Sequence, residues 1–444
     1  MFKRIRRYYW VTQSFLAKHS KIIIKTTGIV LSFILIFFLF AHYLPTPKST
    51  LRIGRVGKYS LETFPTDIQA LLSQGLVAIK EDGTIKPGLA KNWELKDDDK
   101  TYIFTLDDNI YWHDGSKLKP DDISYNFKDV EVERGENTII YHLKEPFSPF
   151  MSAVTKPIIK NHKLGTSGYR LVKTKVANGV LQSLTIESSS ERRIYKFYPT
   201  ETSNLTAYKQ GEIDKIEKLS FISASLINDP TNIIEKDINI NNQQSVLFFN
   251  NNDATLTSKS ARQALAYAIK DKTFGQEHAI SPIDQNSWAY NSLVKEYAYD
   301  KAHAQTLFSQ DIKDPGNEKL ELKTMLQYLD IAESIANSWR ETLGVQVDVK
   351  VVSNITSDYQ ILLADFTPPI DPDQYTIWHS TQNTNFTHYS NLKVDKLLED
   401  GRRTSDQNLR KEIYKDFQRF LLEDCPAVFL FKSNSYTLFR KTLF

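Results

Sequence analysis

Between Leu320 and Val352 apolar and polar residues trade places with two different periods. Leu320, Leu322 and Thr324 alternate with charged residues, and Ile331, Ile335, Trp339 and Leu343 recur every four positions. Val345, Val347, Val349 and Val351 then alternate strictly with Gln346, Asp348 and Lys350. Period two marks a half-buried strand, and a period near 3.6 marks an amphipathic helix. The stretch therefore predicts strand, helix, strand, with Gly344 closing the helix in a left-handed turn. Strands joined through a helix run parallel with a right-handed crossover, so the chain is of the α/β class. Alternation at 51–56 predicts the first strand. Further strands are expected at 102–106, 138–143, 179–187 and 193–198. Continuous apolar runs at 246–250 and 427–431 predict buried strands, and 361–366 reads as a further short strand. Helices are expected at 202–210, 260–270 (Ala261, Ala264, Leu265 and Ala268 on one face) and about 409–424.

Residues 22–44 carry a different pattern. They are apolar except for Lys25, Thr26, Thr27, Ser32 and His42. As a helix they would reach ~34 Å, enough to span a hydrocarbon core of ~30 Å. Lys3, Arg4, Arg6, Arg7, Lys18, Lys21 and Lys25 all precede the apolar core. The positive-inside rule then predicts a cytoplasmic N-terminus and an extracytoplasmic body. A cleaved signal peptide would want small residues after the apolar run, where this chain has Phe40-Ala41-His42-Tyr43-Leu44. The expectation is an uncleaved single-pass anchor in the plasma membrane. It places a cytoplasmic basic tail at 1–21, a transmembrane helix at 22–44 and a stiff Pro-Thr-Pro linker at 45–50.

Charge sharpens that division. The chain of 444 residues has a formal charge of +3. Residues 1–50 hold eight Lys/Arg and no acid, which leaves 48 bases against 53 acids beyond them, a charge of −5. A mildly acidic body argues against a nucleic-acid surface. The one cysteine, Cys425, excludes an intramolecular disulfide and reads as a buried thiol. Catalytic signatures such as H-E-x-x-H and G-x-S-x-G do not occur. His113-Asp114 reads as part of an Asp-Gly turn, and no metal-ligand spacing joins His113, His379 and His388. The expectation is a protein that is not an enzyme and carries no cofactor.

Several short motifs recur in a fixed order. Gly75–Thr84 is an apolar run into a Glu-Asp-Gly turn; Pro87-Gly88-Leu89-Ala90-Lys91-Asn92-Trp93-Glu94 follows; Trp112-His113-Asp114-Gly115 precedes Asp121–Phe127, which predicts a capped helix start. Gly165-Thr166-Ser167-Gly168-Tyr169, Gly211-Glu212-Ile213-Asp214 and Arg262–Ile269 come next. Asp371-Pro372-Asp373-Gln374-Tyr375 and Asn385–Asn391 complete the set. As an ordered set these resemble the family 5 extracellular solute-binding proteins, the oligopeptide and dipeptide receptors of ABC importers. The resemblance implies a two-lobed, class II periplasmic-binding-protein-like fold with mixed sheets and helices on their faces. It implies lobe I at 51–247, lobe II at 248–405 and a return to lobe I at 406–444. An extra subdomain around 107–164 is expected to be reduced to a strand and turns.

The resemblance also points to a ligand cleft. Tyr59, Leu61 and Phe64 lie in the segment that faces it. Across from them, a strand at 361–366 runs into a proline-rich loop bearing Asp371, Asp373, Tyr375, Trp378 and His379. Ligands sit at the carboxyl ends of strands in open α/β sheets, and rigid aromatics with a few polar groups suit a small-ligand pocket. The alternative local reading is a proline loop that caps a helix through Asp373 and buries Trp378. Peptide receptors of the family carry an acid for the peptide ammonium where this chain has Pro368, and Asp365, Asp371 and Asp373 are the acids at hand. The expected function is a receptor that delivers a small polar solute, above all a short peptide, to ABC permease subunits. Membrane sensing without transport, or a sugar or nickel-chelate ligand, are the alternatives.

Overall fold

A computed structural model describes residues 2–41, 48–80, 82–220, 222–237, 242–352, 355–356 and 358–441. The chain forms two compact units, residues 1–49 with 189–191, and the remainder. The first is a helix, Phe2–Ala41, with no acid in its first turn; its Ile22, Ile24, Ile29 and Phe33 are exposed. Among the described residues no helix is long and apolar enough to cross a membrane. Residues 42–44 of the expected anchor and 45–47 of the linker lie outside them.

The body is organised by two sheets. The second has the spatial order Gln346–Val351, Lys319–Thr324, Ile361–Phe366, Gln244–Phe249, Ala427–Lys432. Its first three strands are parallel, as the alternating valines predict. The Gln244–Phe249 strand has no solvent face. Leu247 and Phe249 pack with Leu265, Ile335 and Trp339 on one side, and Val246 and Phe248 pack with Trp378 and Phe417 on the other. A helix layer on each face makes the continuous apolar run necessary. The helix Leu329–Leu343 buries Ala332, Ile335, Ala336, Trp339 and Leu343 and ends at Gly344, φ 76°. Trp339 Nε1 donates to the Leu265 carbonyl at 2.9 Å, so its polar edge is satisfied inside the core.

The first sheet has seven strands, in the order Asn232–Asp237, Ser435–Arg440, Lys215–Leu219, Ser49–Val56, Glu191–Tyr198, Val180–Glu187, Arg170–Ala177. Its core joins Ile53, Phe64, Ile68, Leu184 and Tyr195. The strands Asn232–Asp237 and Gln244–Phe249 belong to different sheets, as do Ala427–Lys432 and Ser435–Arg440, the latter two joined through Ser433 and Asn434. Among the described residues of 406–444, only Ser435–Arg440 joins the first sheet. The helix Gln407–Asp424 and the strand Ala427–Lys432 pack with the second.

Residues 90–143 build a four-stranded sheet with its own core around Tyr102, Phe104, Tyr141 and Phe150. A strand at Val130–Arg134 pairs with Thr138–Leu143, so the charged stretch after Phe127 is a hairpin rather than one strand and turns. The helix start expected at 121–127 is a single 3-10 turn, Pro120–Asp122. Asp122 spends its carboxylate on the Trp112 indole and the Lys119 backbone, and beyond the turn Ile123 is buried, with Tyr125 and Phe127 half-buried, against that core. Cys425 is buried, as expected, and burial pushes its thiol up to about 12.

Candidate functional site

One strand of the first sheet's parallel pair and two of the second sheet's parallel strands end near the same place. Ser49–Val56 and Lys215–Leu219 are the parallel pair of the first sheet. Beyond Leu219 the chain continues into Ser220 and Ile222; beyond Thr324 it reaches Tyr328; Asp365 lies one residue from the end of its strand. A cavity of about 300 Å³ collects these with the crossing residues Gln243, Ser433 and Asn434. The volume lies at the small end of the range for ligand pockets.

Asp365 is the acid of this cavity. The Tyr328 hydroxyl donates to its Oδ1, and the Ser433 hydroxyl donates to the same oxygen at 3.2 Å. Among the described residues it forms no ion pair, and burial raises its pKa above the ordinary carboxylate value. Lys218, which also lines the cavity, lies 3.4 Å from Asp67. Asp67 in turn pairs with the buried Arg55 at 2.9 Å. Burial works against the Asp67 charge, but Arg55 outweighs it and holds the carboxyl below its usual range. The crossings are pinned nearby: Ser433 N donates to the Gln243 carbonyl at 2.7 Å, and Thr437 Oγ1 to Asp237 at 2.8 Å.

The residues singled out from sequence fall elsewhere around this centre. Tyr59 folds back so that its hydroxyl donates to the Val56 carbonyl at 3.0 Å, with its ring edge-on to Phe197 at 5.1 Å. That fold needs Gly57, whose Cβ would stand 2.5 Å from the Tyr59 ring. Leu61 and the buried Phe64 line a larger, polar cavity of about 680 Å³ with Asp121, Tyr125 and Lys160.

The loop acids are already engaged. Asp371 receives both terminal nitrogens of Arg410, at 2.6 and 2.9 Å, and Arg410 is 7% exposed at its side chain. Asp373 pairs with Arg402 at 3.0 Å and accepts from the Tyr375 backbone at 3.1 Å. The Arg402 guanidinium lies 4.1 Å from the centre of the Tyr375 ring, whose other neighbour is His379, also at 4.1 Å between rings. Trp378 is 1% exposed and donates its Nε1 to Gln374 at 2.7 Å. His379 is buried, with Nδ1 2.9 Å from the Thr381 hydroxyl. The short helix Tyr375–Trp378 takes Gln374 as its N-cap, and Asp373 satisfies the Tyr375 N–H behind it. The loop thus has the geometry of the alternative local reading, a proline segment that caps a helix and buries its tryptophan.

Asp371 and Arg410 also line a cavity of about 370 Å³ with Trp93, Tyr102, Met151 and Trp288. Here the four-stranded sheet reaches over to the second sheet's helices. Ser148 N donates to the Arg402 carbonyl at 2.7 Å, and its hydroxyl donates to the Thr404 carbonyl. Arg403 pairs with Glu145 at 3.1 Å, Ser405 bonds to Asp99, and Trp288 N donates to the Asp82 carbonyl at 3.1 Å. These contacts clasp the two halves at the rim, away from the crossings. His113 belongs to the scaffold: its Nδ1 accepts from Gly165 N at 3.2 Å, and its Nε2 lies 2.8 Å from the Ser167 carbonyl. Among the described residues no three His, Cys, Asp or Glu side chains gather to hold a metal.

Two α/β halves joined by two short crossings, with cavities between them, have the architecture of a two-lobed, periplasmic-type binding protein. Comparison with known proteins narrows the class. The model of the bacterial extracellular solute-binding proteins, family 5 (middle), matches residues 84–135 and 188–388, more than half of the chain, and the chain belongs to that family. A probable D,D-dipeptide-binding periplasmic protein, DdpA of Escherichia coli strain K12, is 23% identical over 81% of this chain and 83% of its own. Among solved structures, the ABC transporter substrate-binding protein CtaP of Listeria monocytogenes superposes with a TM-score of 0.75 at 24% identity. That match covers 89% of this chain and 94% of the other. NikZ of Campylobacter jejuni, solved with Ni(L-His), gives 0.72 at 24% identity, over 89% and 95%. The family consists of binding proteins, and the chain is not an enzyme.

Proposed function

We propose that the chain is the extracytoplasmic receptor of an ABC importer. It holds a small polar solute, foremost a short peptide, between its lobes and hands it to the permease subunits. The observation that carries this reading is the cavity at the converging strand ends, lined by both halves and both crossings. The first lobe is 50–237 with 435–440, and the second is 244–432. The solute and transporter assignments draw further support from the relatives, which include a probable dipeptide-binding protein. We further propose that residues 22–44 anchor the receptor in the membrane with its N-terminus inside. The support is the 23-residue, mostly apolar stretch behind six Lys/Arg and no acid.

Native mass spectrometry of the full chain, extracted in detergent, tests the receptor reading. A bound short peptide, displaced by added peptide of the same sequence, is the expected result. A chain that carries and accepts no peptide overturns the peptide assignment. The Ni(L-His) complex of a structural neighbour makes a nickel chelate the second ligand to try in the same experiment. For the anchor, the expected outcome is retention in the membrane through alkaline washing, with the body cleaved by protease added from outside. Release of the body by washing, or an intact mass lacking the first 40-odd residues, refutes it.

A further inference from the structure

We propose that the second lobe binds one small monovalent anion, chloride, in a cavity beside Lys272, apart from the cavity between the lobes. The inference is independent of the receptor reading. Lys272 follows the helix Lys259–Tyr267, and its Nζ donates to the Ile269 carbonyl at 3.0 Å. A lysine just past a helix commonly caps the last carbonyls, and that contact uses one of its three N–H donors. Lys272 is 8% exposed, and among the described residues it meets no second acceptor and forms no ion pair. Lysines this buried are nearly always paired, because an uncompensated ammonium in the interior is costly.

The charges around it do not supply the counter-ion. Asp271 spends its Oδ1 on the Thr273 and Phe274 backbone and on the Thr273 hydroxyl. Cys425 is a neutral thiol, since burial pushes it up to about 12. Burial lowers the pKa of His278 and keeps its ring neutral near neutrality. Glu423 pairs with Lys295 at 3.1 Å. Lys272, Lys295 and His278 line a cavity of about 20 Å³ whose apolar walls include Leu422, Val428 and Phe429. Glu296 lines it too, but is exposed and forms no ion pair with Lys272. That volume admits one water-sized group, which excludes sulfate, phosphate and carboxylates. A water would fill the space and leave the charge, whereas a halide supplies the counter-charge. Two ammonium groups beside apolar walls suit an anion that gives up its hydration readily, so chloride and bromide are favoured over fluoride. Burial lowers the Lys272 pKa to about 8, and an anion bound to the charged amine raises it.

The test uses the full chain in detergent. In one arm the melting temperature is read as sodium gluconate is replaced, at constant ionic strength, by sodium chloride, bromide, fluoride or sulfate. A saturating rise with chloride and bromide alone is expected in wild type, and none in Lys272→Met. Equal responses to all salts, or a variant that responds as wild type does, overturn the site. The second arm needs no variant. The ¹³Cε signals of lysine-labelled wild type are followed against pH, Lys272 being the lysine that titrates near 8 in gluconate. With chloride about tenfold above the dissociation constant read from the first arm, its midpoint is expected to rise by about one pH unit. An unmoved midpoint, as a water in the cavity would give, overturns the anion.

Discussion

Asp371 was a ligand candidate by sequence and is an ion-pair partner by structure, and the two roles predict opposite outcomes for Asp371→Ala. The substitution leaves Arg410 with its Nε on the Gly401 carbonyl at 2.8 Å and its two terminal nitrogens without a carboxylate. Burial works against the Arg410 charge, and Asp371 and Tyr414 hold its pKa above the ordinary value. The Trp288 and Tyr414 rings lie 5.7 and 5.3 Å from its guanidinium. Removing one member of a buried pair costs about 3–5 kcal/mol, whereas exposed pairs are worth about 0–1. Urea unfolding of the full chain in detergent is therefore expected to show a loss of about 3–5 kcal/mol for Asp371→Ala. The double variant Asp371→Leu with Arg410→Met removes both charges and is expected to recover most of that loss. The coupling from the four-member cycle isolates the pair. A loss below about 1 kcal/mol, together with abolished ligand binding, would refute the structural role.

Three further outcomes follow from the geometry. Removing two of the side-chain rim contacts, with Ser148→Ala and Arg403→Ala, and a third with Ser405→Ala, is expected to raise the radius of gyration in solution scattering with little change in stability. The Arg403–Glu145 pair is more than half exposed, and an unchanged radius would mean the clasp does not hold the lobes. Asp424 accepts from Tyr389 at 2.8 Å, Asn391 at 2.7 Å and Lys259 at 3.1 Å; burial opposes its charge, but these donors prevail and lower its pKa from 3.8. Its contribution is present above the unfolded value and lost as pH falls through the lower folded one, so the stability gap between wild type and Asp424→Asn is expected to be flat near neutrality and to shrink below about pH 4; a gap that widens in acid contradicts this. At the Gly-Thr-Ser-Gly-Tyr turn, a Cβ on Gly165 would sit 1.9 Å from the Leu72 carbonyl, while one on Gly168 meets nothing within 4 Å. Gly165→Ala is expected to cost about 1–3 kcal/mol in a thermal melt and Gly168→Ala to be near neutral, and equal effects would contradict the packing.

Much of the fold was legible because its periods are clean. The valines of 345–351 alternate without a fault, and Gly344 sits where a left-handed residue is needed. The family was legible for a different reason, the order of motifs that are individually weak. The turn at 121–127 was misread because Asp121-Asp122 resembles a helix cap, although Ile123, Tyr125 and Phe127 alternate as an extended segment does. The cavity could not be read at all. Its members at 218, 243, 328, 365 and 433 are scattered along the chain and belong to no motif. Nor does the sequence say that Asp373 and Asp371 are met by arginines 29 and 39 residues away. Charge pairing at that distance is decided by tertiary packing, and local spacing carries no trace of it.

The position of Ser435–Arg440 has a consequence for biogenesis. That strand is not at an edge; it is inserted between Lys215–Leu219 and Asn232–Asp237, inside the first sheet. The second lobe is an unbroken stretch of sequence and can fold as soon as it has emerged. The first lobe must keep a slot open for a strand made some 200 residues later, with the unpaired edges of two strands exposed in the meantime. During export the lobe that begins first is therefore the one that finishes last, and the cavity between the lobes comes into being only when the final strand slides home.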